Sequence, residues 1–142
     1  MLEKGILLED LNILLEWDRP VYELVQENNA KIIEQSDRII IDWGKHTILS
    51  GLPLHLSNTY LLSKPTKFNF IESKFNGDEE SFYYFNFIEK HLEKNYGCPF
   101  ESEDDMEIKR EKSRVWRISN VRIQLYLFEM HAFRLSFKIE KL

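Results

Sequence analysis

The stretch that most constrains this chain is its carboxy-terminal segment, where apolar and polar residues alternate with a period of two from Val121 to Glu140. Val121, Ile123, Leu125 and Leu127 fall on one side, with Arg122, Gln124, Tyr126 and Phe128 on the other. After a turn near Glu129-Met130-His131-Ala132, the residues Phe133, Leu135, Phe137 and Ile139 alternate with Arg134, Ser136, Lys138 and Glu140. Successive side chains of a strand leave opposite faces, so the pattern predicts two half-buried antiparallel strands.

A third strand precedes them. In Arg114-Val-Trp-Arg-Ile-Ser-Asn-Val, a tight Ser119-Asn120 loop sets Ile118 opposite Val121 and Trp116 opposite Ile123, again on the apolar side. Three strands with one greasy face require a cover. The segment from Glu79 to Tyr96 supplies it, because Phe82, Phe85, Ile88, Leu92 and Tyr96 recur at helical spacing. Asp78 is the expected N-cap, and Gly97 followed by Pro99 ends the helix. Before the helix, Lys67 to Phe75 reads as a strand carrying Phe68 and Phe70, closed by Asn76-Gly77.

The first half carries weaker signals. A short helix is expected from Arg19 to Glu27, with Pro20 in its first turn and Val21, Leu24 and Val25 inward. Leu7, Leu11, Leu14 and Leu15 fit helical spacing from Glu9 to Glu16, with a strand as the alternative. Arg38 to Trp43 and His46 to Ser50 read as a hairpin turning at Gly44-Lys45, followed by a strand from Leu52 to Leu62. The segment 98–113 contains Glu101-Ser-Glu-Asp-Asp-Met-Glu and Lys109-Arg-Glu-Lys, and reads as a flexible charged loop. The expected architecture is one α+β domain over residues 1–142, mainly antiparallel sheet with helices on one face. Helix, hairpin and strand recur in both halves, which suggests a duplicated plan.

Composition removes several classes of activity. With 142 residues and a net charge of −5, the chain lacks the cationic surplus of a sequence-independent nucleic-acid binder. The single cysteine, Cys98, can form no internal disulfide and belongs to no CxxC motif. A buried thiol is its expected state. The amino terminus has neither the basic start nor the apolar run of a signal peptide, so a cytoplasmic location is expected. No stretch reaches the roughly 18 apolar residues of a membrane span. Two alanines beside plentiful Lys, Ile, Asn, Glu and Phe reflect an AT-rich coding bias and point to a bacterial source.

Candidate chemistry is sparse. His46, His55, His91 and His131 form no HxH, HxxxH or HExxH pattern, and His46 and His131 fall at expected turns. The glycines 5, 44, 51, 77 and 97 are too dispersed for a phosphate-binding loop. No catalytic residue, cofactor or metal ligand is therefore nominated. Two surface features remain. One is the acidic run containing Glu101, Glu103, Asp104 and Asp105, suited to a basic partner. The other is the polar side of the carboxy-terminal sheet, where Tyr126 and Phe128 beside Met130 are large aromatics expected to pack against something. Arg114, Arg117, Arg122, Arg134 and Lys138 are read onto that same side; they resemble an RNA-binding platform, but the acidic balance favours a plain solvated face.

The expectation is a non-enzymatic protein-binding module, monomer or homodimer. The class it suggests is a bacterial immunity or inhibitor protein blocking a basic toxin domain. A self-associating or small-ligand-binding protein is the alternative, and an enzyme with an unrecognised site is the third.

Overall fold

The alternating carboxy-terminal segment forms the two strands its pattern predicts, with Val121, Ile123, Leu125, Leu127, Phe133, Leu135, Phe137 and Ile139 all buried. The computed structural model describes residues 2–142. In chain order the elements are β1 (Gly5–Leu8), β2 (Ile13–Glu16), α1 (Val21–Asn28), β3 (Lys31–Glu34), β4 (Arg38–Ile48) and β5 (Leu52–Leu61). There follow β6 (Phe70–Asn76), α2 (Asp78–Tyr96), β7 (Glu101–Asp105), β8 (Glu111–Ile118), β9 (Val121–Met130) and β10 (Ala132–Lys141). The fold is α+β, with a small β1-β2 sheet and an eight-stranded antiparallel sheet ordered β3-β4-β5-β6-β10-β9-β8-β7. The chain divides into two compact units, one running to Glu72 and taking in Lys141, the other Ser73–Glu140 with Leu142.

The second unit follows the period-two logic closely. Strands β8 and β9 pair with Ile118 opposite Val121 and Trp116 opposite Ile123, turning where Ser119 adopts a positive φ of 56°. Helix α2 buries Phe85, Ile88 and Leu92 and packs on β9. Its end is fastened by the Trp116 indole, which donates to the Gly97 carbonyl at 3.0 Å. The helix start differs from expectation. Gly77 is the N-cap and Asp78 is the first helical residue. The Asp78 carboxylate instead accepts the Phe133 amide at 2.7 Å, while the Ser81 hydroxyl donates to the Phe133 carbonyl at 3.1 Å. The residue expected to cap the helix thus holds the start of β10 against it.

In the first unit, α1 buries Val21, Leu24 and Val25, as its spacing predicts. Two other readings are corrected. The segment holding Leu7, Leu14 and Leu15 takes the strand alternative, a hairpin of β1 with β2, and not the helix. Gly5 is needed there because a Cβ at that position would lie 2.1 Å from the Leu15 carbonyl oxygen. Nor does the chain turn at Gly44-Lys45. Strand β4 continues through it with a bulge between Asp42 and Gly44, where Gly44 takes a φ of 88° and its amide donates to the Asp42 carboxylate at 2.9 Å. The true turn comes at Leu49-Ser50-Gly51, all with positive φ. Both oxygens of Glu9 brace it, accepting the Ser50 and Gly51 amides at 2.8 and 2.9 Å.

The segment 98–113 is also corrected from loop to hairpin. Strand β7 pairs with β8 from Glu101 opposite Val115 to Asp105 opposite Glu111. An edge strand has one partner and open solvent beside it, so charge there carries no penalty and deters edge-to-edge association. That is why its composition imitates a loop. The duplicated plan is not confirmed. The first unit follows its helix with the run β3-β4-β5, whereas the second follows its helix with β7-β8-β9-β10.

Leu125→Ala is expected to lower unfolding free energy by about 2–5 kcal/mol, and Arg134→Ala on the exposed alternate to change it by about 0.5 kcal/mol or less. Urea denaturation of the two variants checks the assignment of faces.

Candidate partner-binding face

Cross-strand registers determine which side chains share a face. The β7-β8 and β8-β9 pairings align Glu101 with Val115 and Gln124, Glu103 with Ser113 and Tyr126, and Asp105 with Glu111 and Phe128. These three rows lie on the face of the second unit's sheet turned away from α2, because Arg114, Trp116, Ile123, Leu125 and Leu127 alternate onto the side that α2 covers; on the outer side Val115 is buried as well. Carboxylates from β7 and the start of β8 therefore flank the aromatics of β9. The Tyr126 and Phe128 rings stack on each other, 5.0 Å between centroids and 20° between planes. Both are half-buried, and Met130 at the strand end is 54% exposed.

Within this face Asp105 stands directly opposite Glu111. Like charges in opposed positions destabilise a sheet, and neither residue is buried. Asp105 is partly occupied in shaping its turn, accepting the Ile108 amide at 3.0 Å. Burial, with the Glu111 and then the Glu103 carboxylate nearby, pushes the Tyr126 phenol above its ordinary pKa of 10.0, so the ring presents a neutral hydroxyl. Glu111 was no part of the sequence-derived set. Only the strand register reveals it.

Two assignments from the sequence change here. Asp104 does not join the face, since its parity in β7 turns it towards the helix. There its two oxygens receive the Arg114 guanidinium at 2.8 and 3.2 Å, while Arg114 Nε donates to Glu89 of α2 at 2.6 Å. Arg114 likewise leaves the proposed cationic platform. It shares its parity with Trp116 and is 9% exposed, so an arginine that reads as polar surface is an internal tie. Of the remaining cations, Arg122 and Lys138 pair with Glu140 at 3.3 and 3.5 Å. Arg117 lies over the Phe100 ring at 4.9 Å.

The other candidate groups serve local structure. His46 is not in a turn but in β4, bonded to Asp10 at 2.9 Å and to the Trp43 carbonyl at 2.7 Å. His46 and the Thr47 amide hold the Asp10 carboxyl below its ordinary range. His55 meets Asp42 at 2.6 Å. His91 neighbours Asn95 on α2, and His131 occupies the β9-β10 turn with a φ of 67°. Cys98 is exposed, contrary to the expectation of a buried thiol. Among the described residues no group of three or more His, Cys, Asp or Glu could hold a metal ion, and no helix is long and apolar enough to cross a membrane.

The sequence reading also passed over Tyr83, Tyr84 and Phe87 on α2, whose spacing of three and four marks a second aromatic stripe outside the buried one. No protein-family model, curated protein or solved structure matches this chain.

Two outcomes follow from this geometry. Arg114 holds the Asp104 carboxyl below its ordinary pKa of 3.8. The resulting stabilisation is present above that value and is lost as pH falls through the depressed one. Arg114→Met is expected to cost about 1.5–3 kcal/mol at neutral pH and to flatten the acid limb of stability against pH. An unchanged acid limb would remove the pairing. In a spectrophotometric titration, Glu111→Gln should bring the Tyr126 ionisation back towards 10.0, with Tyr126→Phe identifying the transition.

Proposed function

We infer that the chain is a non-enzymatic protein-binding module whose partner is a basic protein domain, of the kind a bacterial immunity or inhibitor protein neutralises in the cytoplasm. What carries the reading is the juxtaposition of Glu101, Glu103, Asp105 and Glu111 with the stacked Tyr126-Phe128 pair on one face. Aromatic anchors beside a surplus of carboxylates, of which Glu103 meets Lys109 at 3.9 Å, fit a cationic partner in two ways. The rings supply contact area with few rotatable bonds, and the carboxylates steer the encounter. Asp105 opposite Glu111 strengthens the case, since an approaching lysine or arginine would relieve their repulsion. Steering of this kind raises association rates by roughly 10–10³-fold at low salt.

The test uses the reading frame beside the gene for this chain that encodes a basic carboxy-terminal domain. Expression of that domain alone is expected to arrest growth, and co-expression of this protein to restore it. Changing Glu101 and Glu103 to Lys, or Tyr126 to Ala, should abolish the rescue in variants that still fold. The reading fails if no such neighbour exists or if rescue does not depend on this face. The alternative, self-association through Tyr126, Phe128 and Met130, predicts a dimer in sedimentation that Tyr126→Ala converts to monomer.

A further inference from the structure

Helix α2 buries Ser81, Phe85, Ile88 and Leu92 beneath it, yet Tyr83 and Phe87 on its flank are 59% and 37% exposed. The rings are ordered among themselves. Tyr83 and Phe87 are nearly parallel, 14° apart in plane with centroids 6.0 Å apart, and Tyr84 stands edge-on to both. Beneath Tyr84 lies Phe75 of β6, almost buried, stacked at 4.3 Å and 16°. The outer rings thus stand on a fixed base. Beside Tyr83 and Tyr84 is an open hollow of about 510 Å³, walled by residues 76–80. Asp78 in that wall is engaged by the Phe133 amide. Glu79 and Glu80 are exposed, and neither side chain has an ion-pair partner among the described residues.

Charge decides what such a face can take. An apolar or lipid surface would have to strip water from Glu79 and Glu80 with nothing to replace it. A nucleic acid or acidic peptide would be repelled. A cation is drawn both to the negative faces of the rings and to the carboxylates. Between the two natural cations, the planar guanidinium stacks on a ring while bonding a carboxylate through two parallel N–H groups, which an ammonium cannot do. We propose that this flank of α2 docks an arginine-bearing segment of a partner protein, the guanidinium lying on the Tyr83 ring and pairing with Glu79 or Glu80.

The flank belongs to the helix that covers one side of the second unit's sheet, whereas Tyr126 and Phe128 lie on the other side. It is a separate surface and does not depend on the outer-face reading. The experiment titrates the folded protein with oligo-arginine, oligo-lysine and oligo-glutamate peptides by calorimetry at low and physiological salt. Oligo-arginine is expected to bind more tightly than oligo-lysine, and oligo-glutamate not to bind. The double variant Tyr83→Ala/Phe87→Ala, which leaves net charge unchanged, should weaken oligo-arginine binding by about threefold or more. Glu79→Gln/Glu80→Gln should weaken it similarly, with a smaller salt dependence. Circular dichroism would verify that the variants fold, as their exposed positions predict.

Equal affinity for the two cationic peptides overturns the proposal, as does wild-type binding by the aromatic variant. Loss confined to Glu101→Lys/Glu103→Lys would also overturn it, while leaving the outer-face reading standing. Loss in the α2 variants with rescue of growth still dependent on Glu101 and Tyr126 would establish two independent surfaces.

Discussion

Everything in the second unit depends on the pleat of β8, β9 and β10. Because consecutive side chains alternate, one face holds Trp116, Ile123, Leu125, Leu127, Leu135 and Phe137, and the helix that seals it must be apolar on the matching side. The same alternation sends Arg114 inward beside Trp116. Its charge is tolerable there only because Glu89 reaches it from α2 and Asp104 from β7. One guanidinium thereby connects the helix, the inner strand and the edge strand, which makes it a structural tie where the isolated sequence suggests a surface contact.

Acidic side chains have two distinct uses in this protein. In the first unit Glu9 and Asp10 accept backbone amides of Ser50, Gly51 and Thr47, satisfying donors that a tight turn would otherwise leave open. The buried Glu72 accepts the Thr59 amide at 3.0 Å. In the second unit Asp78 accepts the Phe133 amide and Asp104 the Arg114 guanidinium, whereas Glu101 and Glu111, with Glu103 reaching Lys109 at 3.9 Å, lie on the face of Tyr126 and Phe128. Subtracting the carboxylates that have structural work is what isolates the candidate surface. A tally of 24 acidic residues could not do so.

That face and the flank of α2 combine aromatic rings with carboxylates on opposite sides of one unit. An aromatic left half in water and a carboxylate left without a cation each forgo some stability. Their coincidence suits a cationic surface, which improves both at once. Net charge alone would favour the same partner but would not locate the contact.

The sequence by itself determined the elements whose burial follows a short period. The alternation of β9 and β10, the stripe of α2 and the three inward residues of α1 each report, residue by residue, which side meets the core. Tertiary structure decided what has no local period. β7 is an edge strand with charge along its length, so only its pairing with Arg114 and its neighbours distinguishes it from a loop. Gly44 became a bulge because Asp42 captures its amide and Glu9 braces a different turn from far along the chain. The assembly of Glu103, Glu111, Tyr126 and Phe128 on one face is of the same kind. Strand partners and register arise from contacts distant in sequence, and no spacing within a single segment encodes them.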